Sequence, residues 1–236
     1  MSRLLFLVLM TSLVGCLGKP SSQQMPPAEA SFERQLLDVS SAATDSIQVS
    51  ETAVPPQQLM HLTEATDLRE LRLDQTPVTD AEAEVIAAIP SLKIVNLPAS
   101  QLTDEGLAKI ASLPQLELLR VGSPSVTDAG IAKVGESTSI LYLHLLDSPV
   151  TDGAVDAIAG MQQLESFYAD GTKLTDDGMS KLVKARPKLH IHFNDLHPAG
   201  SHAGHSHDHD HHDHSHDHHD HDHSHDHSHG DHDHKH

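Results

Sequence analysis

Residues 116–128 read LELLRVGSPSVTD, and residues 140–152, one interval of 24 later, read ILYLHLLDSPVTD. The agreement extends well beyond this pair. Val78-Thr79-Asp80, Leu102-Thr103-Asp104, Val126-Thr127-Asp128, Val150-Thr151-Asp152 and Leu174-Thr175-Asp176 recur at a spacing of 24 without slippage. A period of that length means stacked structural units. Ten residues before each triplet starts an apolar pattern: Leu68-x-x-Leu71-x-Leu73, Leu92-x-x-Val95-x-Leu97, Leu116-x-x-Leu119-x-Val121, Ile140-x-x-Leu143-x-Leu145 and Leu164-x-x-Phe167-x-Ala169.

Counting each unit from its first apolar residue, the alternation of positions 4 and 6 has the period of a strand. The Thr-Asp pair then supplies a helix N-cap whose side-chain oxygen satisfies free N–H groups. Thr79 and Glu82 have the spacing of a capping box. Helical spacing follows each cap, in Val85, Ile86 and Ile89, in Leu107, Ile110 and Leu113, and in Met179, Leu182 and Val183. Pro90, Pro114 and Pro187 close three of these helices. One unit cannot bury its two faces alone, but five stacked units share a continuous core.

The pattern resembles the leucine-rich-repeat family. That resemblance implies an α/β solenoid bent into a horseshoe, with a parallel β-sheet on the concave face and helices on the convex face; the composition of the termini adds the expectation that they are disordered. It covers about 150 residues, because Thr44 to Asp67 reads as a degenerate first repeat and Lys188 to Phe193 as a last strand. Phe32 to Val39 is expected to form a capping helix after Ser31. Many members of the family carry an asparagine ladder at position 9, where this chain has Thr76, Ser100, Pro124, Ser148 and Thr172. Pro124 offers no side-chain donor or acceptor, which predicts weaker bonding between repeats near the third.

Composition bounds the rest. A chain of 236 residues, 37% hydrophobic and 3% aromatic, buries one moderate core. Fifteen Lys and Arg against 34 Asp and Glu give a net charge of -19, which repels phosphate backbones, so no nucleic-acid partner is expected.

At the amino terminus Arg3 precedes an apolar run from Leu4 to Val14. As a helix it reaches roughly 16 Å, too short for a bilayer core of about 30 Å. It suits the apolar region of a secretory signal. Leu13-Val14-Gly15-Cys16 resembles the lipobox of bacterial lipoproteins, which implies that 1–15 is removed and that Cys16 is diacylated and becomes residue one. Acyl chains contribute about 0.8 kcal/mol per buried CH₂, so no spanning helix is needed. Leu17 in place of Asp favours, by the same resemblance, the outer membrane. Residues 16–31 then form a tether, 32–67 the cap and degenerate repeat, 68–193 the repeats and terminal strand, and 194–236 a tail. Cys16 is the only cysteine, so no internal disulfide is possible.

Repeat positions 3 and 5 point away from the core across the sheet, where strands lie about 4.8 Å apart. Position 3 runs Glu70, Ile94, Leu118, Tyr142, Ser166, His190; position 5 runs Arg72, Asn96, Arg120, His144, Tyr168, His192. Both tyrosines of the chain and two of its arginines fall on this surface beside Ile94 and Leu118, expected to be exposed. Such residues are enriched at interface hot spots. We take Arg72, Ile94, Asn96, Leu118, Arg120, Tyr142, His144 and Tyr168 as the candidate partner-binding residues, for a protein or an envelope polymer. The bland reading is a solvated sheet face whose Tyr and Ile reflect β-propensity. No nucleophile stands beside His144, and Asp74, Asp147 and Asp170 read as solvated loop carboxylates, so no enzyme is expected.

Ser201 to His236 holds one Lys, nine Asp and 18 of the 23 histidines, and no apolar residue beyond Ala203. Nothing there offsets the entropy of ordering, and the expectation is disorder. The histidines are His202, His205, His207, His209, His211, His212, His214, His216, His218, His219, His221, His223, His225, His227, His229, His232, His234 and His236. Imidazoles at such spacing suit divalent transition metals, Zn or Ni first and Cu or Co also. The tail resembles the histidine-rich segments of zinc transporters and nickel chaperones. A pH-responsive tail is the competing reading, since full protonation moves its charge from -8 toward +10. His190, His192 and His197 could join His202 in a better-ordered site, or be end-strand and linker residues.

The expectation is therefore a non-enzymatic envelope lipoprotein with a partner-binding repeat domain and a metal-binding tail. The alternative makes metal capture, storage or delivery primary, with the repeats docking a transporter or chaperone.

Overall fold

Alternating burial gives one short strand per repeat, and the Thr cap starts one helix. The computed structural model describes residues 31–194. Cys16 and its signal, the tether, His197 and the eighteen tail histidines lie outside them. Ser31 caps α1 (Phe32–Ser40), its hydroxyl accepting from the Arg34 N–H. Then come β1 (Ser46–Val49), α2 (Pro56–Leu59) running on into a 3-10 turn, and β2 (Glu70–Leu73). Helices α3 (Asp80–Ala87), α4 (Asp104–Ala111) and α5 (Asp128–Val134) alternate with β3 (Ile94–Leu97), β4 (Leu118–Gly122) and β5 (Tyr142–Leu146). The array closes with α6 (Val155–Gly160), β6 (Ser166–Asp170), α7 (Asp176–Ala185) and β7 (His190–Phe193). Gly153, a weak helix former, lies in the 3-10 turn that opens the α6 unit.

All seven strands pair in chain order and in parallel. The register is the repeat itself: Ile47, Leu71, Val95, Leu119, Leu143, Phe167 and Ile191 form one column. Every member of that column is fully buried. Phe167, the largest, shares its strand with Ala169, the smallest residue of the position 6 column. This is the α/β arrangement of a leucine-rich-repeat solenoid, a parallel sheet on one side and helices on the other. Among the described residues no helix is long and apolar enough to cross a membrane.

At the first edge α1 lays Phe32, Leu36 and Val39 on the core. Its Gln35 amide imitates a further strand: Nε2 donates to the Gln48 carbonyl and Oε1 accepts from the Gln48 N–H, both at 2.7 Å. The edge that would otherwise template pairing is thereby covered. Towards the other end, Arg186 donates to the carbonyls of Ala159, Met161, Gln162 and Leu164, satisfying the turn after α6.

The Thr-Asp pair does more than cap. Each threonine hydroxyl accepts from an N–H in its own helix. Each aspartate instead reaches into the next unit. The Asp104 carboxylate accepts from the Thr127 N–H at 2.7 Å and its hydroxyl at 2.6 Å, and Asp152 takes the same two bonds from Thr175 at 2.8 and 2.6 Å. Those bonds hold Asp152 below the usual carboxylate range. Asp80 and Asp128 serve Thr103 and Thr151 likewise. Thr79 has no preceding aspartate, because Pro55-Pro56 stands in that place. Glu82 substitutes, accepting from the Thr79 N–H at 2.9 Å and hydroxyl at 2.6 Å within the expected capping box. The ladder also accounts for glycine early in the helices: a Cβ at Gly106 would lie 2.0 Å from Asp80 Oδ1.

The position 9 expectation needs correction. The third repeat is not the weak one, because Ser123, beside Pro124, donates its hydroxyl to the Leu102 carbonyl at 2.7 Å. Ser100 bonds the Gly122 carbonyl and Thr76 accepts from the Val54 N–H. It is Ser148 and Thr172, two repeats where a hydroxyl is present, whose buried oxygens have no partner among the described residues. Supplying a hydroxyl does not ensure that a backbone group lies within its reach.

Candidate functional site

The strands bring the two outward columns together as read from the repeat. Glu70, Ile94, Leu118, Tyr142, Ser166 and His190 are register neighbours, as are Arg72, Asn96, Arg120, His144, Tyr168 and His192. Arg72 pairs with Glu70 on its own strand. Tyr142 is exposed, and its hydroxyl donates to Glu165 Oε2 at 2.9 Å. That bond, with the carboxylate's charge, holds the phenol above its ordinary value.

Three expectations change. Asn96 is buried and serves as a link, not as a surface offered to a partner. Its amide Nδ2 donates to Asp74 Oδ1 at 2.9 Å and its Oδ1 accepts from Arg120 Nη1 at 3.1 Å. Ile94 and Leu118 are half-buried, not exposed. Asp74 and Asp170 are not solvated loop carboxylates but the two ends of a polar chain. The sequence signal was available: position 7 shares the face of positions 3 and 5 wherever the strand runs on, as it does in β5 and β6.

The chain runs Asp74, Asn96, Arg120, His144, Asp170. Arg120 Nε donates to His144 Nδ1 at 3.2 Å, and His144 Nε2 lies 2.8 Å from Asp170 Oδ2. A guanidinium can only donate, so Nδ1 accepts and the ring proton sits on Nε2, pointing at Asp170. Burial pushes the His144 pKa down; the Asp170 bond pulls it up, and the Arg120 charge pushes it down again, leaving it below its ordinary value. The neutral ring is the form this geometry uses.

Beyond Asp170 the face turns aromatic. Tyr168 stacks on His192 with centroids 4.7 Å apart and planes at 11°, and lies 5.3 Å from the His144 ring. His190 packs 4.9 Å from His192. Among the described residues no group of three or more His, Cys, Asp or Glu is placed to hold a metal ion. The expected site with His197 and His202 extends outside those residues. Among the described residues this face offers aromatic stacking, apolar contact and charge.

No protein-family model matches the chain, and no curated protein matches it. Among solved structures it is similar to an internalin of Listeria monocytogenes at 16% identity and a TM-score of 0.40, covering 65% of this chain and 55% of that one. Internalin C2 of the same organism is similar at 20% identity and a TM-score of 0.43, covering 69% of this chain and 78% of that one. The chain therefore spans about half the length of the first. Neither likeness bears on function, which has to be read from this chain's own residues.

Proposed function

We propose that the chain is a non-enzymatic, lipid-anchored envelope protein whose strand face binds a partner and whose tail binds divalent transition metal. One observation carries the binding reading: both tyrosines, two arginines and His144 share one outward sheet face, held by a rigid, continuously paired sheet. Preorganised aromatic and arginine side chains lose little entropy on binding. The helix side presents instead ion pairs such as Lys109 with Glu84 and Lys181 with Asp156, ordinary surface features of small energetic weight.

A photo-crosslinking residue at Tyr142 is expected to trap one discrete adduct in the native cells, lost in Tyr168→Ala, while the same residue at Glu84 traps none. Equal adducts from both sides, or an adduct indifferent to Tyr168, overturn the reading.

The lipobox supports attachment through Cys16, in the outer membrane, which labelling with radioactive palmitate tests: the label should vanish in Cys16→Ser. The 18 histidines between Ser201 and His236 support metal binding. Calorimetry at pH 7.5 should find several equivalents of Zn or Ni on the chain with residues 201–236 and none without them. Binding should be lost at pH 5.5, where imidazole is protonated. No micromolar binding removes the metal role and leaves the strand face alone.

A further inference from the structure

Five arginines lie among the described residues, and four have an ordinary arrangement. Arg34, Arg69 and Arg72 each face a carboxylate, and Arg186 faces four carbonyl oxygens. Arg120 is the exception. It is half-buried in the middle of the strand face of a chain with 34 acidic residues, yet no carboxylate among the described residues pairs with it. Its two partners are neutral acceptors, Asn96 Oδ1 at 3.1 Å and His144 Nδ1 at 3.2 Å. Both are themselves anchored, by Asp74 and Asp170.

These bonds fix the plane of the guanidinium without neutralising it, and they leave Nη2 with no hydrogen bond to any described residue. A guanidinium held this way keeps donors for a planar oxyanion, and part of the ordering entropy is already spent. Beside it, two residues along the strand, position 3 forms an apolar ledge: Leu118 in register with Ile94 on one side and Tyr142 on the other. Residues two apart on a strand are about 6.6 Å apart.

We infer that Arg120 is the anchor of a carboxylate subsite, taking an Asp or Glu side chain of a protein partner whose apolar neighbour two residues away rests on Ile94, Leu118 and Tyr142. This rests on the reading of the strand face as the binding surface and names the chemistry of what binds there. An extended acidic segment fits both features, since its alternate side chains have the same spacing as the two columns.

The test is a titration of the isotope-labelled full chain with acetyl-Leu-Ala-Asp-Ala-amide and with its Asn counterpart, followed by NMR at the Arg120 Nε–H and the His144 ring. The expected result is saturable shifts at both groups and about tenfold tighter binding of the Asp peptide, the step of one charge-assisted bond over a neutral one. Arg120→Lys keeps the charge but loses the fork, and should cut the preference severalfold. The peptide pair needs no variant to fold, so the inference stays exposed even if that substitution unfolds the chain. Equal affinities for the two peptides, or an Arg120 signal that neither moves, overturn the carboxylate subsite. If the Tyr142 adduct still forms in that case, the strand-face reading stands and only the subsite falls. An oligouronate that shifts Arg120 at lower concentration than the Asp peptide overturns the protein source.

Discussion

The helix side and the strand side of this solenoid are both crossed by continuous hydrogen bonding, but of different kinds. On the helix side one rung is copied: Asp80 to Thr103, Asp104 to Thr127, Asp128 to Thr151, Asp152 to Thr175. On the strand side five residues of four kinds, Asp74, Asn96, Arg120, His144 and Asp170, are joined end to end by four bonds, each between a different pair of residue types. A copied rung sets the spacing of units and carries no information about what binds. A chain of mixed residues places one guanidinium, one imidazole and the tautomer of that imidazole at fixed points, which is the raw material of recognition.

The strand side should be the costlier to disturb at its backbone. A Cβ at Gly122 in β4 would lie 2.1 Å from the Pro98 carbonyl oxygen, a backbone atom that cannot swing aside. Gly122→Ala should cost about 1–3 kcal/mol, whereas Gly160→Ala in α6, with nothing within 4 Å, should stabilise by about 0.4–1 kcal/mol. Urea unfolding checks both, and a neutral Gly122→Ala would mean the strands can separate at position 7.

The copied rungs should show equal, smaller effects. Asp104→Ala and Asp128→Ala each strand a Thr N–H and hydroxyl at a partly solvated site, costing about 1 kcal/mol. Asp176→Ala, the final member, has no following threonine to serve and should change stability by less than about 0.5 kcal/mol. A loss at Asp176 as large as at Asp104 would break the ladder account.

The smallest effect is read as a pKa. The His144 ring should titrate below 6.5, its ordinary value. Asp170→Asn should lower it further and Arg120→Gln should raise it, because the carboxylate favours and the guanidinium opposes protonation. In stability, the unfolded chain binds this proton more readily than the folded one. The contribution of His144 is therefore complete above about pH 6.5 and is lost as pH falls through the lower folded value. Ring NMR on the three proteins checks the order, and shifts of the same sign in both variants would contradict the chain as drawn.

Much of this was legible before any coordinates. The interval of 24, the buried positions 1, 4, 6 and 11, the Thr caps and the outward columns all follow from periodicity, because a strand has period two and a stacked unit must repeat what its neighbour packs against. Which outward residues were truly open was not legible: Asn96, Ile94 and Leu118 were read alike, and one is buried and two are half-covered. Exposure on a sheet face depends on the length and direction of side chains on both flanking strands, which no single strand encodes.

What the sequence determined by itself is the count of units, their register and the face each residue takes, since those are properties of spacing. What only the tertiary structure decided is partnership. Aspartate 23 residues before a threonine is a repeat in sequence and a bonded rung in space. Arg120, paired on paper with any of 34 acids, ends between two neutral acceptors, because hydrogen bonds select by distance and direction and these exist only once the strands lie side by side.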